Sequence, residues 1–291
     1  MTRKIAVAII HGVGTQKPDF AEPITAELTK RFSALIKGHA ANPQSELVIE
    51  PVHWAPVLQR DEDELWNRLL KGGELDFIGL RKFMVSFAAD AIAYQPAPKE
   101  RDAYENIHVE VARALRRLAG RDCADAPLVV IAHSLGTVIA SNYFYDLEKD
   151  ARKKFIPAVI RREIGKTPLE RGETFTSLYT FGSPIALWSL RYTDFGKPIT
   201  VPSPLLTNHH PGLEAASEWI NFYDKDDIIG YPLRRLNDAY RKAVKEDRQV
   251  NAGGLFSSWN PLSHNGYWTD NDVTKPIAEG LARVWKRANG I

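Results

Sequence analysis

Short apolar runs alternate along the chain with longer segments whose apolar residues recur every three or four positions. Runs that are short, rich in β-branched or aromatic residues and bounded by turn residues are typical of buried strands. The longer segments are typical of amphipathic helices, as where Ile24, Leu28 and Phe32 share one face. The six predicted strands are KIAVAIIHG, ELVIEPVHW, APLVVIAH, TFTSLYTFGSP, EWINFYD and EDRQVNAGG.

Strands that alternate with helices predict an α/β fold. Its central sheet would have about six mostly parallel strands, with helices on both faces. No linker rich in proline, glycine or serine divides the chain, so the sequence predicts one domain spanning residues 1–291. Three insertions interrupt the alternation: a candidate cap or lid at 57–95, a charged segment at 150–173 and a proline-containing loop at 184–216.

The amino-acid composition favours a globular protein and argues against nucleic-acid-binding and membrane-spanning classes. Apolar residues make up 44% of the chain and charged residues 25%, which is typical of a globular domain with a sizeable core. The net charge of +2 and the lack of a long basic run argue against nucleic-acid binding. Cys123 is the only cysteine, which excludes an internal disulfide and fits a reducing compartment. The first apolar run is too short for a signal peptide, and no run has membrane-spanning length. We therefore expect a cytoplasmic protein with no integral membrane segment.

A serine stands between the third predicted strand and the helix that follows it, in the segment IAHSLG. Ala132 and Gly136 are small residues two positions before and after Ser134. This spacing lets a strand turn sharply into a helix and expose a nucleophilic hydroxyl. The alternative is that Ser134 is an ordinary N-cap of the helix. A nucleophilic serine also requires a base, an orienting carboxylate and N–H donors for the oxyanion.

The base and the carboxylate would follow the serine in the order carboxylate, then histidine. Three aspartates, Asp224, Asp226 and Asp227, stand at the end of the fifth predicted strand. His264 lies further on, in a turn-rich loop. A carboxylate at a strand end and a histidine on a late loop can both reach a serine placed after a central strand.

The loop after the first strand, HGVGTQ, is the expected source of oxyanion donors. Its glycines let the backbone direct N–H groups at the site, and we expect the donor from this loop to be Val13. The second expected donor is the N–H of Leu135, the residue after Ser134. His11 either shapes this loop or is a plain core residue. The loop does not fit a dinucleotide fingerprint, because Lys17 occupies the position of the third glycine. No histidine pair has metal-site spacing, so we expect neither a cofactor nor a metal.

Three short motifs resemble those of α/β-hydrolases, and in particular the class 3 lipases of the lipase and esterase branch. They are DDIIGYP, HNGYW and the strand end YTFGSP. The resemblance implies an α/β-hydrolase fold with a triad of Ser134, His264 and an aspartate, Asp226 by motif register or Asp227 as the alternative. It implies a serine hydrolase that cleaves a small-molecule or lipid ester through an acyl-enzyme. A thioesterase or acyltransferase would use the same triad, and a catalytically silent interaction module is the remaining alternative.

The second helical pattern within 57–95 carries a broad apolar face. Two interpretations remain open: the face packs permanently on the core, or the helix covers Ser134. In the second interpretation, the helix and the proline-containing loop near Leu205 would together form an acyl pocket. The predicted face comprises Phe77, Leu80, Met84, Phe87, Ala88 and Ala91.

Overall fold

The centre of the computed structural model is a single sheet of six parallel strands. The structure describes residues 2–72, 76, 78–95, 101–153, 155–252 and 261–291. The strands lie in the order β2-β1-β3-β4-β5-β6, and each adjacent pair is parallel. Their bounds are β1 Ile5–Ile10, β2 Leu47–Val52, β3 Leu128–His133, β4 Phe175–Phe181, β5 Trp219–Asp224 and β6 Glu246–Val250. Every residue of β1, β3 and β4 is buried, which explains why these strands are continuous apolar runs in the sequence.

Helices cover both faces of the sheet and divide the core into two layers. Successive strand residues point to opposite faces, so Ala6 belongs to one layer and Val7 to the other. Helices α4 and α5 cover the first layer, and α1 and α10 cover the second. The helix bounds are α1 Glu22–Leu35, α2 Gln59–Lys71, α3 Ile78–Ala93, α4 Asp102–Leu118, α5 Leu135–Lys153, α6 Ala158–Glu163, α7 Ile185–Ser189, α8 Leu206–His209, α9 Asp238–Ala243 and α10 Asn271–Ala288.

The strand order reverses between β1 and β3. From β1 the chain moves outward to β2, then returns past β1 to β3 and continues through β4, β5 and β6 on the other side. In open parallel sheets, such a reversal leaves a crevice at the carboxyl ends of the two strands, and ligands bind there. The residues that follow these ends are His11 after β1 and Ser134 after β3.

The loop at 184–216 crosses from one end of the sheet to the other. It leaves the carboxyl end of β4 and must return to the amino end of β5, because the two strands are parallel. Its first part contains α7 and its last part contains α8. The Ser203 N–H donates to the carbonyl oxygen of Phe175 at 2.8 Å, and Phe175 is the first residue of β4. The second half of the loop therefore lies at the end of the sheet opposite to Ser134.

The structure confirms the α/β class, the parallel sheet and all six predicted strands. The insertion at 57–95 contains the two predicted helices, α2 and α3, which we call the cap. The charged insertion at 150–173 contains the short helix α6. None of the helices in the described ranges is both long enough and apolar enough to cross a bilayer.

Candidate active site

Ser134 occupies a sharp turn between β3 and α5. Its φ of 52° lies in the left-handed region, which a non-glycine residue adopts at an energetic cost and which is characteristic of a nucleophile elbow. The Ser134 N–H donates to the carbonyl oxygen of Phe181 at 3.0 Å, which ties the turn to the end of β4. The side chain is fully buried, and Ser134 Oγ has no hydrogen-bond partner among the described residues. This geometry is not that of a simple N-cap.

Close backbone packing explains the small residues around the serine. A Cβ on Gly12 would lie 2.5 Å from Ser134 Cβ and 3.1 Å from its Oγ, so the 11–14 loop passes directly over the hydroxyl. A Cβ on Gly136 would collide with the backbone oxygens of His11 and Ile10. These glycines let the end of β1 and the start of α5 approach each other around Ser134.

His264 lies beside the buried carboxylate of Asp227. The distance from His264 Nδ1 to Asp227 Oδ2 is 2.9 Å. The Tyr267 hydroxyl donates to the same oxygen at 2.8 Å, and the Ile229 N–H donates to Asp227 Oδ1 at 2.9 Å. Burial alone would raise the pKa of Asp227, but the His264 contact and the two further hydrogen bonds lower it to about 2. Asp227 is therefore an anion in contact with a buried imidazole.

The pairing of His264 with Asp226, selected by the motif register, is corrected to Asp227. The Asp227 N–H donates to the Asp224 carbonyl oxygen at 3.2 Å, closing a turn after β5. Asp224 caps this turn, because its carboxylate accepts from the Asp226 N–H at 2.9 Å and from the Ala252 N–H at 2.7 Å. The turn directs Asp227, and not its neighbour, toward His264.

Two further glycines make room for the pair. A Cβ on Gly182 would lie 2.9 Å from His264 Cε1 and 3.1 Å from Asp227 Oδ2. A Cβ on Gly230 would lie 2.6 Å from the same carboxylate oxygen. Gly182 also has a φ of 56°, which favours glycine independently. The glycine of the YTFGSP strand end is thus explained by its contact with the imidazole.

His133 connects the serine turn to His264. Its Nε2 donates to the His264 carbonyl oxygen at 2.7 Å, and the two rings are 4.6 Å apart. Burial, reinforced by the neighbouring His264, lowers the pKa of His133 well below its usual value. Neutral His133 therefore fixes the backbone of His264, and Trp268 packs edge-on against the His133 ring.

The loop after β1 is held by His11. Its Nδ1 donates to the Gly12 carbonyl oxygen at 2.7 Å, while Nε2 accepts from the N–H groups of Trp54 and Ala55 at 3.1 and 3.3 Å. Burial lowers the pKa of His11 to about 3, so the ring is neutral and this arrangement persists at ordinary pH. Of the two roles open for His11, the structure supports the shaping of this loop. Gly14, with a φ of 81°, continues the loop, and its N–H donates to Asp90 Oδ2 at 3.0 Å.

A cleft of about 240 Å³ opens beside these residues. One wall is the loop after β1, another is α3, and His133 and His264 also contribute. Among the described residues that line the cleft, those of α3 are polar or small. The lining residues are Val13, Gly14, Gln16, Gly79, Lys82, Ser86, His133 and His264.

The described side chains of the predicted apolar face of α3 do not line this cleft. Met84 is 44% exposed, and Phe87 contacts the ring of Trp188 edge-on at 6.4 Å. Phe77 and the side chain of Leu80 lie outside the described structure. Leu205 lines a different cavity, with Phe144 and Phe175, at the amino end of β4. The structure therefore brings α3 to the site but contradicts the predicted contribution of the Leu205 loop to an acyl pocket there.

Both expected oxyanion donors lie at the crevice. Leu135 is the first residue of α5, so its N–H has no acceptor within the helix. Val13 lines the cleft between Gly12 and Gly14. Within the described ranges, no three His, Cys, Asp or Glu side chains are grouped as a metal site would require. No family model matches the chain, and no curated protein matches it either.

Proposed function

We propose that this protein is a serine hydrolase of the α/β-hydrolase type that cleaves a carboxylic ester. The observation that carries the proposal is the convergence of three features at the strand reversal: the strained turn at Ser134, the buried His264–Asp227 pair and the glycine-lined loop at 11–14. Each feature on its own has a structural explanation. Their convergence beside one cleft, which Val13, Gly14 and His264 line, is the arrangement that acyl transfer through a serine requires.

In the first half-reaction, His264 takes the proton of Ser134 Oγ as the oxygen attacks the ester carbonyl carbon. Asp227 holds the imidazole through Nδ1 and stabilises the imidazolium that forms. The carbonyl oxygen becomes an oxyanion, for which the N–H groups of Val13 and Leu135 are the proposed donors. Removing one such donor typically raises the barrier by about 3 kcal/mol.

The tetrahedral intermediate collapses by expelling the alcohol, which receives the proton from His264 and leaves an acyl-serine. Water then enters, gives its proton to His264 and attacks the acyl carbon. Collapse of the second intermediate returns the proton to Ser134 Oγ and releases the carboxylic acid. The mechanism uses no metal or cofactor at any step.

The lining of the cleft favours small and polar acyl groups. Its volume of about 240 Å³ lies below the range of about 300–1,000 Å³ that is usual for pockets binding drug-sized ligands. Gln16, Lys82 and Ser86 contribute an amide, an ammonium and a hydroxyl. A long alkyl chain would desolvate these groups without replacing their hydrogen bonds, which costs free energy.

The experiment that tests the proposal is hydrolysis of 4-nitrophenyl acetate and butyrate, with matched thioesters in parallel. Ser134→Ala should abolish hydrolysis while circular dichroism shows an intact fold. Ser203→Ala, at the opposite end of the sheet, should hydrolyse at the wild-type rate. Wild-type turnover by Ser134→Ala would remove the serine from the mechanism, and a wild-type protein inert toward both ester classes would favour a silent fold.

A further inference from the structure

We propose that Asp90 is a positioning residue for the reaction: from α3 of the cap, it holds the 11–14 loop in the conformation that donates to the oxyanion. This inference rests on the proposed function. It adds a residue that no motif in the sequence marks, separated from Gly14 by 76 positions. It also gives the cap a role in the chemistry beyond covering the cleft.

The contact between Asp90 and the loop is a buried hydrogen bond. Asp90 is 1% exposed, and its Oδ2 accepts the Gly14 N–H at 3.0 Å. Gly14 directly follows Val13, so fixing its N–H fixes the peptide plane that joins the two residues. The positive φ of Gly14 leaves this segment free to adopt other conformations when the hydrogen bond is absent. The Val13 N–H belongs to the preceding peptide plane, which adjoins the fixed plane at the Val13 Cα, so Asp90 restricts its orientation.

The rest of the Asp90 carboxylate faces another acid. Asp90 Oδ1 has no donor among the N–H and hydroxyl groups of the described chain, and the Glu62 carboxyl of α2 is within hydrogen-bonding reach of Asp90. Two carboxyl groups this close, of which Asp90 is buried and Glu62 is half-buried, share a proton, since ionising both costs free energy. Burial first, and then Asp90, raise the pKa of Glu62 to about 9. Burial also raises the pKa of Asp90.

At neutral pH, the Glu62 carboxyl thus donates its proton to Asp90, and Asp90 accepts from Gly14 at its other side. One buried carboxylate thereby joins α2, α3 and the loop beside Ser134. The other charged groups that act on Glu62 are Asp63 of α2, which raises its pKa, and Lys82 of α3, which lowers it. Ionisation of Glu62 near pH 9 would place two carboxylates in contact and disturb the loop.

Four variants test this role. Asp90→Leu keeps the side-chain size but removes the acceptor, whereas Asp90→Asn keeps an acceptor for Gly14 and a donor toward Glu62. Glu62→Gln keeps a donor to Asp90 that cannot ionise. Asp61→Asn is the matched control, because Asp61 is an exposed carboxylate next to Glu62 that pairs with Arg60 and does not contact the loop. The measurements are kcat and KM for 4-nitrophenyl acetate, the Gly14 amide resonance by NMR, and fluorophosphonate labelling rates from pH 6 to 10.

Asp90→Leu should lower kcat by at least about 10-fold while KM stays within about 2-fold, because the loop contributes to the transition state. It should also shift the Gly14 amide resonance. Asp90→Asn should restore most of the rate and the resonance. Labelling of the wild type should fall above about pH 9, as should labelling of Asp61→Asn, and Glu62→Gln should remove this alkaline fall.

Wild-type kcat in Asp90→Leu, or an unmoved Gly14 resonance, would overturn the inference while leaving the proposed function intact. An alkaline fall that persists in Glu62→Gln would overturn the role of Glu62. If Asp90→Leu does not fold, the Gly14 amide resonance still tests the inference. Its chemical shift should change with pH near pH 9 in the wild type, and this change should be absent in Glu62→Gln. A wild type that neither hydrolyses esters nor labels would instead overturn the proposed function, and with it any role of Asp90 in the reaction.

Discussion

His264 Nδ1 and Asp227 Oδ2 lie 2.9 Å apart, and both residues are buried. The carboxylate also accepts from Tyr267 and Ile229, so its orientation is fixed by three donors. A carboxylate held in this way selects the imidazole tautomer that carries its proton on Nδ1, which leaves Nε2 to act as the base. Asp226, one residue earlier, makes no such contact in the described structure.

The two adjacent aspartates should therefore differ sharply on substitution. Asp227→Asn is expected to lower kcat by as much as ~10⁴, because the amide disfavours the productive tautomer of His264. Asp226→Asn is the matched control and should stay within about 2-fold of the wild type. Steady-state hydrolysis of 4-nitrophenyl acetate measures both. Equal losses in the two variants, or a larger loss in Asp226→Asn, would contradict the assignment.

A methyl group at Gly12 should disable the site without unfolding the protein. The added Cβ would lie 2.5 Å from Ser134 Cβ, so either the loop or the serine turn must shift. A displacement of about 1 Å at the reacting atoms can cost about 10²-fold in rate. Gly120→Ala is the control, because its Cβ would meet no atom within 4 Å. Gly12→Ala turnover equal to that of Gly120→Ala would show that the loop does not constrain the serine.

Acyl-chain selectivity should reflect the polar lining of the cleft. We expect kcat/KM for 4-nitrophenyl esters to be highest among the short chains and to fall for octanoate and longer. Met84→Gln should leave this profile unchanged, because Met84 points away from the cleft. A profile that rises by about 0.8 kcal/mol per methylene through the long chains, and that flattens in Met84→Gln, would restore the apolar pocket.

Stability should decline toward alkaline pH through Glu62. The folded protein holds this proton up to about pH 9, whereas the unfolded chain releases it near pH 4.5. The contribution to stability is fully present below pH 4.5 and is lost as the pH rises through about 9. The melting temperature of the wild type should fall with pH more than that of Glu62→Gln, while Asp61→Asn should follow the wild type. Parallel curves for wild type and Glu62→Gln would contradict the shared proton.

The sheet could be predicted from the sequence because its strands are buried on both faces. Continuous apolar runs such as IAVAII and LVVIAH are typical of strands in a parallel sheet that helices cover on both faces. The serine turn was also predictable, since Ala132, Ser134 and Gly136 have local spacing requirements. These features depend on residues that are close in sequence.

The choice between Asp226 and Asp227 could not be made from the sequence. Both follow the same strand, and only the turn capped by Asp224 decides which one faces His264. The link from Asp90 to Gly14 was equally hidden, because it joins a helix to a loop 76 positions away. The sequence shows that a helix has an apolar face but not which part of the protein that face contacts. The apolar spacing around Met84 therefore did not reveal that α3 places Lys82 and Ser86 at the cleft.

The position of Leu205 was predictable in principle. A loop between parallel neighbours must cross from the carboxyl end of one strand to the amino end of the next. Ser134 lies at the carboxyl end, so the later part of the loop between β4 and β5 cannot cover it. The hydrogen bond between Ser203 and Phe175 agrees with this rule, because Phe175 is the first residue of β4.

The most direct test of the central claim is mass spectrometry of the protein after treatment with a fluorophosphonate. A serine activated by His264 attacks the phosphorus, expels fluoride and retains the phosphonyl group. The account predicts one adduct, located on the peptide that contains Ser134, absent in Ser134→Ala and formed far more slowly in Asp227→Asn than in Asp226→Asn. A folded protein that remains unmodified at Ser134, or that is modified equally fast in both aspartate variants, would contradict it.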